Sequence, residues 1–475
     1  MKNETPFAAG KTAQGTGYLV LAAILILGLA LRLTVLVMSP AIELDGIGYA
    51  TMADQFVQGL FGQALGSVFP PIYPLVVASF HLVVPDVEVA GRLVSLVFGM
   101  ATICVSFLFA GRLLHDRTKA IIVAFLLSLQ PHLVRYSGAV LSESLAVFLF
   151  TVTVFAFFTG WQEERRWCMV VSGLCLTLTY LTRPEYVVFY VPFVLVLLAK
   201  RRVTDSLLFL MPFLVLGFLY ISYLWWQTGI WMVSRKATLS PFVPLRAFFG
   251  NAPLVSYEFF VAIFPLFFLF ALFGVRRVEK PYGNLVLLLV AFHVVSLSFV
   301  SHATRRYSVE FIPVSMMFVV EGIVAVNASL AGLFRKAKKY VLPRPAVMAA
   351  MVAIVVLSAV PQAFAPLRYE RALHKKAGLF LLHYRPGSVV ASRLPLVAFY
   401  EKGTSVDLLS EMSDEKDLAH FKRVVTEKKV DYLIFDEEIE KELPFLRAYL
   451  SRSVPTEEFR GAGSFVRVYR LERGK

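Results

Sequence analysis

The sequence predicts an α-helical polytopic membrane protein carrying a small C-terminal α/β domain, and three observations support that expectation. Hydrophobic residues make up 57% of the 475 and charged residues only 17%, with a mean hydropathy of +0.68, so most of the chain cannot face water. Apolar stretches approaching the ~20 residues that cross a bilayer recur from residue 17 to residue 363. Beyond 363 the pattern stops, and charged residues return between short β-branched runs. The same composition excludes a disordered chain, a collagen, a coiled coil and a disulfide scaffold. The 42 phenylalanines suit lipid-facing helices better than a soluble core.

Taken in order, spans are expected near 17–39, 88–111, 119–132, 140–160, 168–182, 186–199, 205–226, 254–273, 284–300, 309–330 and 346–363. That is about eleven transmembrane helices, two of them short. The first is too long for a signal-peptide core and carries Arg32, so it is expected to stay attached. With residue 1 in the cytoplasm, the basic clusters at Arg112 to Lys119, Arg165–Arg166, Lys200–Arg202, Arg276 to Lys280 and Arg335 to Arg344 all fall inside. This is the bias that sets topology, and it accounts for a net charge of +14 without nucleic acid. Counting the apolar stretch 71–85 as a span would reverse that bias. Its proline-rich start and shortness instead suit a helix lying along the interface.

Two domains follow. Residues 1–363 form the membrane domain, with a first outer loop at 40–87 that contains no Lys or Arg but does contain Glu43, Asp45, Asp54 and Asp86. Residues 364–475 form an extracytoplasmic domain, with strand-like runs at 388–392, 430–435 and 464–471 and amphipathic helical stretches at 411–428 and 438–452. An odd number of spans puts this domain outside. The location implied is a bacterial inner membrane, with the C-terminal domain periplasmic or extracellular.

Candidate chemistry gathers at the outer ends of the spans. Asp45 follows the first span, where it could cap a helix beginning just after it as well as act chemically. Glu143 sits about one turn inside the fourth span, where a carboxylate is costly without a partner. Arg135, Arg183 (before Pro184 and Glu185) and the run His302 to Tyr307, with Arg305 and Arg306, reach the same level. Singly, each is as readily an interfacial side chain as a functional one. Together, carboxylates facing several guanidiniums suit transfer from a lipid phosphate, the carboxylate acting as general base and the guanidiniums binding phosphate oxygens. Cys104, Cys168 and Cys175 lie in apolar runs and read as small hydrophobes, with no CxxC spacing. No nucleotide-binding motif and no metal-ligand spacing is present, so no cofactor or metal is expected.

The order of these motifs resembles family 39 glycosyltransferases of the GT-C superfamily, relatives of the protein O-mannosyltransferases and the lipid A aminoarabinose transferase. The resemblance rests on Asp45-Gly-Ile-Gly-Tyr49, Gly59, Phe69-Pro-Pro-Ile-Tyr73-Pro74, Ala90-Gly-Arg92, Arg135 to Glu143, Leu181-Thr-Arg-Pro-Glu185 and Arg306-Tyr307, across residues 17–330. It implies an inverting transferase fed by a polyprenyl-phosphate-linked sugar, with Asp45 at the position of the base and Glu143 at that of the acidic residue beginning the fourth span. Glu43, Tyr49, Tyr73, Arg135, Arg183, His302, Arg305, Arg306 and Tyr307 are the implied donor-phosphate and substrate contacts. Many members carry Asp-Glu where this chain has Asp45-Gly46, with Glu43 two residues earlier. Metal use varies within the superfamily. The implied partners are the lipid-linked sugar, an acceptor hydroxyl on lipid, glycan or protein, and membrane lipid.

Two other classes compete. A polysaccharide ligase or polymerase using a diphosphate-linked donor would also need outer arginines, but usually lacks the short acidic first-loop motif. A transporter of lipid-linked solutes would favour internal repeats and midplane charges, and the sequence shows neither.

Overall fold

The computed structural model describes residues 11–236, 244–300, 304–336, 344–365, 370–461 and 463–471. It divides into two compact units, one of residues 1–36 and 49–364 and the other of residues 37–48 and 365–475. The helix Leu44–Val57 begins in the second unit and continues in the first.

The first unit is a multi-pass helical bundle. Among the described residues six helices are long and apolar enough to cross a membrane: Gly17–Met38, Val87–Leu114, Glu143–Glu163, Val203–Thr228, Lys280–Ser298 and Phe311–Leu330. All eleven expected stretches fall on helical segments, though the helices Arg117–Leu129, Arg166–Tyr180 and Tyr190–Ala199 and the apolar part of the last, Ala349–Ala363, are shorter. The eighth stretch is not one rod. It is broken between Leu245–Ile263 and Pro265–Gly274 by a 93° bend. Pro265 disfavours a helical conformation at the preceding residue, and Phe264 there takes φ +80°, a strained left-handed value for an aromatic residue. The helix Ile72–His81 has 10 residues, ~15 Å of rise, too short to cross by itself.

Burial orders the bundle. The window of Phe311–Leu330 is 78% buried and that of Glu143–Glu163 72%, against 22% for Gly17–Met38 and Val203–Thr228, so the first two are central and the last two face lipid. With no hydrophobic drive between helices in lipid, close packing depends on small residues. A Cβ at Gly322 would lie 1.8 Å from the Phe270 carbonyl, and one at Gly274 1.8 Å from that of Phe318, so these two helices touch backbone to backbone. Phe150 packs against Tyr186, Phe189 and Phe311 with ring centroids 5.2–5.6 Å apart. That aromatic knot ties the fourth span to the two segments that follow Arg183 and Arg306.

Arg32 shows how the bundle tolerates a charge. Wholly buried, it donates to the carbonyls of Gly28 (3.0 Å), Ser128 (3.2 Å) and Leu127 (3.3 Å) and to Ser137 Oγ (3.2 Å). Leu127 and Ser128 close the helix Arg117–Leu129, whose last carbonyls lack intrahelical donors and carry the negative end of the dipole.

In the second unit the sheet is five-stranded. Its strands are β1 (Val389–Ser392), β2 (Thr404–Asp407), β3 (Tyr432–Asp436), β4 (Glu457–Gly461) and β5 (Ser464–Arg470), in the order β2-β1-β3-β5-β4. β1 pairs in parallel with β2 and β3, while β5 runs antiparallel to β3 and β4. The three expected strands correspond to β1, β3 and β5. The expected helices appear as Leu418–Glu427 and as the pair Glu437–Glu442 and Phe445–Leu450. β3 is buried along its whole length, and Asp436 at its end caps the next helix by accepting from Ile439 N.

Candidate functional site

Glu143 opens its helix and is 1% exposed, so its charge requires compensation from other elements. Arg183 supplies one partner. The helix Arg166–Tyr180 ends just before it, and Pro184 drives Arg183 into extended backbone at φ −146°, turning its side chain off the helix. Arg183 Nη1 then reaches Glu143 Oε1 at 3.0 Å while its Nε holds Glu185 Oε1 at 2.7 Å. The second partner comes from the 3₁₀ turn Arg305–Tyr307, where Arg306 Nε donates to the same Glu143 oxygen at 2.6 Å. Tyr307 completes the group, its ring centroid 5.2 Å from the Arg183 guanidinium carbon.

One carboxylate oxygen therefore holds two guanidiniums from segments remote in sequence. Arg183 is buried, whereas the Arg306 side chain is 35% exposed, so the cluster has an open side. Glu143 Oε2 has no hydrogen-bond partner among the described residues. Two guanidiniums held side by side on one buried carboxylate match the geometry of an anion's oxygens.

The first loop feeds the same place. Tyr49 is 1% exposed, with its ring 4.6 Å from that of Phe69 and edge-on to Tyr73 at 4.9 Å, and its Oη hydrogen-bonded to Ser142 Oγ at 3.1 Å, one residue from Glu143. Tyr73 Oη hydrogen-bonds Ser95 Oγ at 3.1 Å. Ile72 N donates to Leu181 O at 3.1 Å, tying the short helix to the chain just before Arg183.

The structure thus brings Glu143, Arg183, Arg306, Tyr307, Tyr49 and Tyr73 together. Arg135, in the helix Pro131–Tyr136, lies within electrostatic reach of Tyr136, which also feels Glu143, Arg306 and Arg183. Arg305 turns to Glu258, with Nε 3.3 Å from Oε2. Asp45 occupies the first turn of Leu44–Val57, which starts two residues earlier than expected, so it lies inside the helix rather than capping it; the dipole favours a carboxylate there. Glu43 is paired with Arg371. His302 lies outside the described residues.

Glu185, noted in the sequence beside Arg183, engages it, and two contributors escape the sequence reading: Glu258 engages Arg305, and His293 Nε2 meets Ser308 Oγ at 2.9 Å with its Nδ1 3.7 Å from Glu310 Oε1. An ionisable residue within an apolar stretch is the signal that could have found Glu258 and His293. Among the described residues no group of three or more His, Cys, Asp or Glu side chains gathers as metal ligands would.

Residues 69–226 match the model of the family described as dolichyl-phosphate-mannose-protein mannosyltransferase, a stretch containing Tyr73, Arg135, Glu143 and Arg183 but neither Asp45 nor Arg306. No curated protein sequence matches significantly. Among solved structures, ArnT from Cupriavidus metallidurans bound to undecaprenyl phosphate is similar at a TM-score of 0.64 and 14% identity, over 96% of this chain and 98% of that one. The Archaeoglobus fulgidus oligosaccharyltransferase tethered to an acceptor peptide is similar at a TM-score of 0.56 and 13% identity, over 89% of this chain and 69% of that one. The chain thus has the GT-C-like fold expected from the sequence.

Proposed function

We propose that this protein is an inverting glycosyltransferase that moves one sugar from a polyprenyl-phosphate donor to an acceptor hydroxyl on a lipid, glycan or protein. The reaction takes place at the outer face of a bacterial inner membrane, with the N-terminus cytoplasmic and the C-terminal domain on the far side. The observation that carries this reading is the pair of guanidiniums fixed on buried Glu143 with Arg306 half-open to its surroundings. The similarity to a structure holding undecaprenyl phosphate supports the lipid-phosphate donor.

In this mechanism Asp45 takes the proton from the acceptor hydroxyl. The oxygen attacks the anomeric carbon from the face opposite the phosphate, and the bond from that carbon to the phosphate oxygen breaks. The electron pair leaves with the polyprenyl phosphate, whose growing charge Arg306 and Arg183 meet. Glu143 keeps both guanidiniums aimed, and Tyr49 and Tyr73 wall the site. No step is assigned to a metal or cofactor.

The test is transfer in proteoliposomes, offering a panel of radiolabelled polyprenyl-phosphate sugars with membrane extract as acceptor. Label moving into lipid, glycan or protein identifies both substrates. Label moving only from diphosphate-linked donors would replace this reading with the ligase or polymerase one.

A further inference from the structure

The segment bearing Asp45 does not group with the bundle. Residues 37–48 form one compact unit with residues 365–475. Ala41 and Ile42 are buried, Ile42 N donates to Tyr400 Oη at 2.9 Å, and Glu43 is ion-paired with Arg371. Arg371 stands in the first turn of the helix Glu370–Tyr384, where the dipole disfavours a cation, and it is 5% exposed, so it depends on a carboxylate partner. Tyr400 is built in as firmly. A Cβ at Gly378 would lie 2.7 Å from Tyr400 Cβ and 2.7 Å from Val397 O, so only glycine lets the two helices approach this closely. Lys375 Nζ covers the Tyr400 ring at 4.7 Å from its centroid.

We propose that Arg371 and Tyr400 are positioning residues: through Glu43 and the Ile42 amide they clamp residues 41–44 and so fix where the helix carrying Asp45 begins. The first loop has no Lys or Arg of its own, and the cation that pairs with Glu43 comes from the C-terminal domain. This rests on Asp45 being the base. It gives the C-terminal domain a catalytic duty independent of any contact with acceptor, because a misplacement of about 1 Å in a reacting group can cost ~100-fold in rate.

The experiment uses the full-length protein in proteoliposomes, with transfer kinetics and amide hydrogen exchange measured on the same variants. Arg371→Glu and Glu43→Arg are each expected to lower kcat ~10- to 100-fold with donor KM within about twofold of wild type, and to speed exchange over residues 41–48. Exchange in β3 should stay unchanged, which confirms the domain is folded. The double swap Glu43→Arg/Arg371→Glu should recover at least part of both losses, and Tyr400→Phe should speed exchange chiefly at Ile42 with a smaller fall in kcat. Faster exchange with unchanged kcat would overturn the positioning role, and unchanged exchange would overturn the clamp itself. Full activity in Asp45→Asn would sink the base assignment separately, leaving the exchange data to decide whether Arg371 and Tyr400 hold the segment.

Discussion

Arg32 and Glu143 are both charged side chains almost wholly removed from solvent, and they are satisfied in opposite ways. Arg32 spends its donors on three carbonyls and one hydroxyl, all neutral, at the end of a helix that needs them. Glu143 gives one oxygen to two guanidiniums and leaves the other without a hydrogen-bond partner among the described residues, while Arg306 stays 35% exposed. A buried charge whose capacity is used up locally braces the fold. A cluster with a partly exposed guanidinium on its open side can take an anionic ligand.

That contrast can be broken by experiment. Arg306→Ala should cost on the order of 100- to 1,000-fold in transfer rate with little loss of stability, since a charge-stabilising donor is removed from a partly exposed position. Transfer kinetics beside a thermal melt in detergent would check both halves. Glu143→Ala should instead destabilise by about 3–5 kcal/mol, because it leaves the buried Arg183 with one carboxylate fewer. Arg32→Leu should lower stability by ~1–3 kcal/mol by stranding helix-end carbonyls, with activity per folded molecule unchanged. A loss of transfer in a stably folded Arg32→Leu protein would erase the distinction. Gly322→Leu should cost ~1–3 kcal/mol, since its side chain would be driven into the Phe270 carbonyl.

The smallest effect concerns pH and the C-terminal domain. Burial raises the Asp436 carboxyl, but the hydrogen bond with His374, the Ile439 amide and the Arg393 charge outweigh it and leave it below the ordinary carboxylate range. Its contribution is therefore complete above the unfolded value of about 3.9 and is lost as pH falls through the lower folded value. Acid unfolding of the C-terminal domain should lose part of its pH dependence in Asp436→Asn.

What the sequence reveals, and what it hides, follows from how local each signal is. Helices of the bundle are legible because an apolar run is a local fact, whereas the bend at Phe264 breaks a stretch, 254–273, that hydropathy alone reads as one span. β1, β3 and β5 are legible as β-branched runs. β2 (TSVD) and β4 (EEFRG) are not, being short edge strands with mostly exposed or half-buried residues and no apolar alternation. Glu143, Arg183 and Arg306 each stand out as charges in apolar surroundings. Their pairing does not, because Arg306 and Glu143 are 163 residues apart and nothing local encodes the match. The packing of 37–48 with the C-terminal residues is hidden for the same reason, with Arg371 328 residues from Glu43.

The central claim is that an aspartate-assisted transfer from a lipid phosphate takes place on this scaffold. The most direct measurement is single-turnover transfer by wild type and Asp45→Asn in proteoliposomes, with donor binding measured alongside. The account predicts that Asp45→Asn binds the polyprenyl-phosphate donor as wild type does but transfers no measurable sugar. Transfer at the wild-type rate by the variant would contradict it.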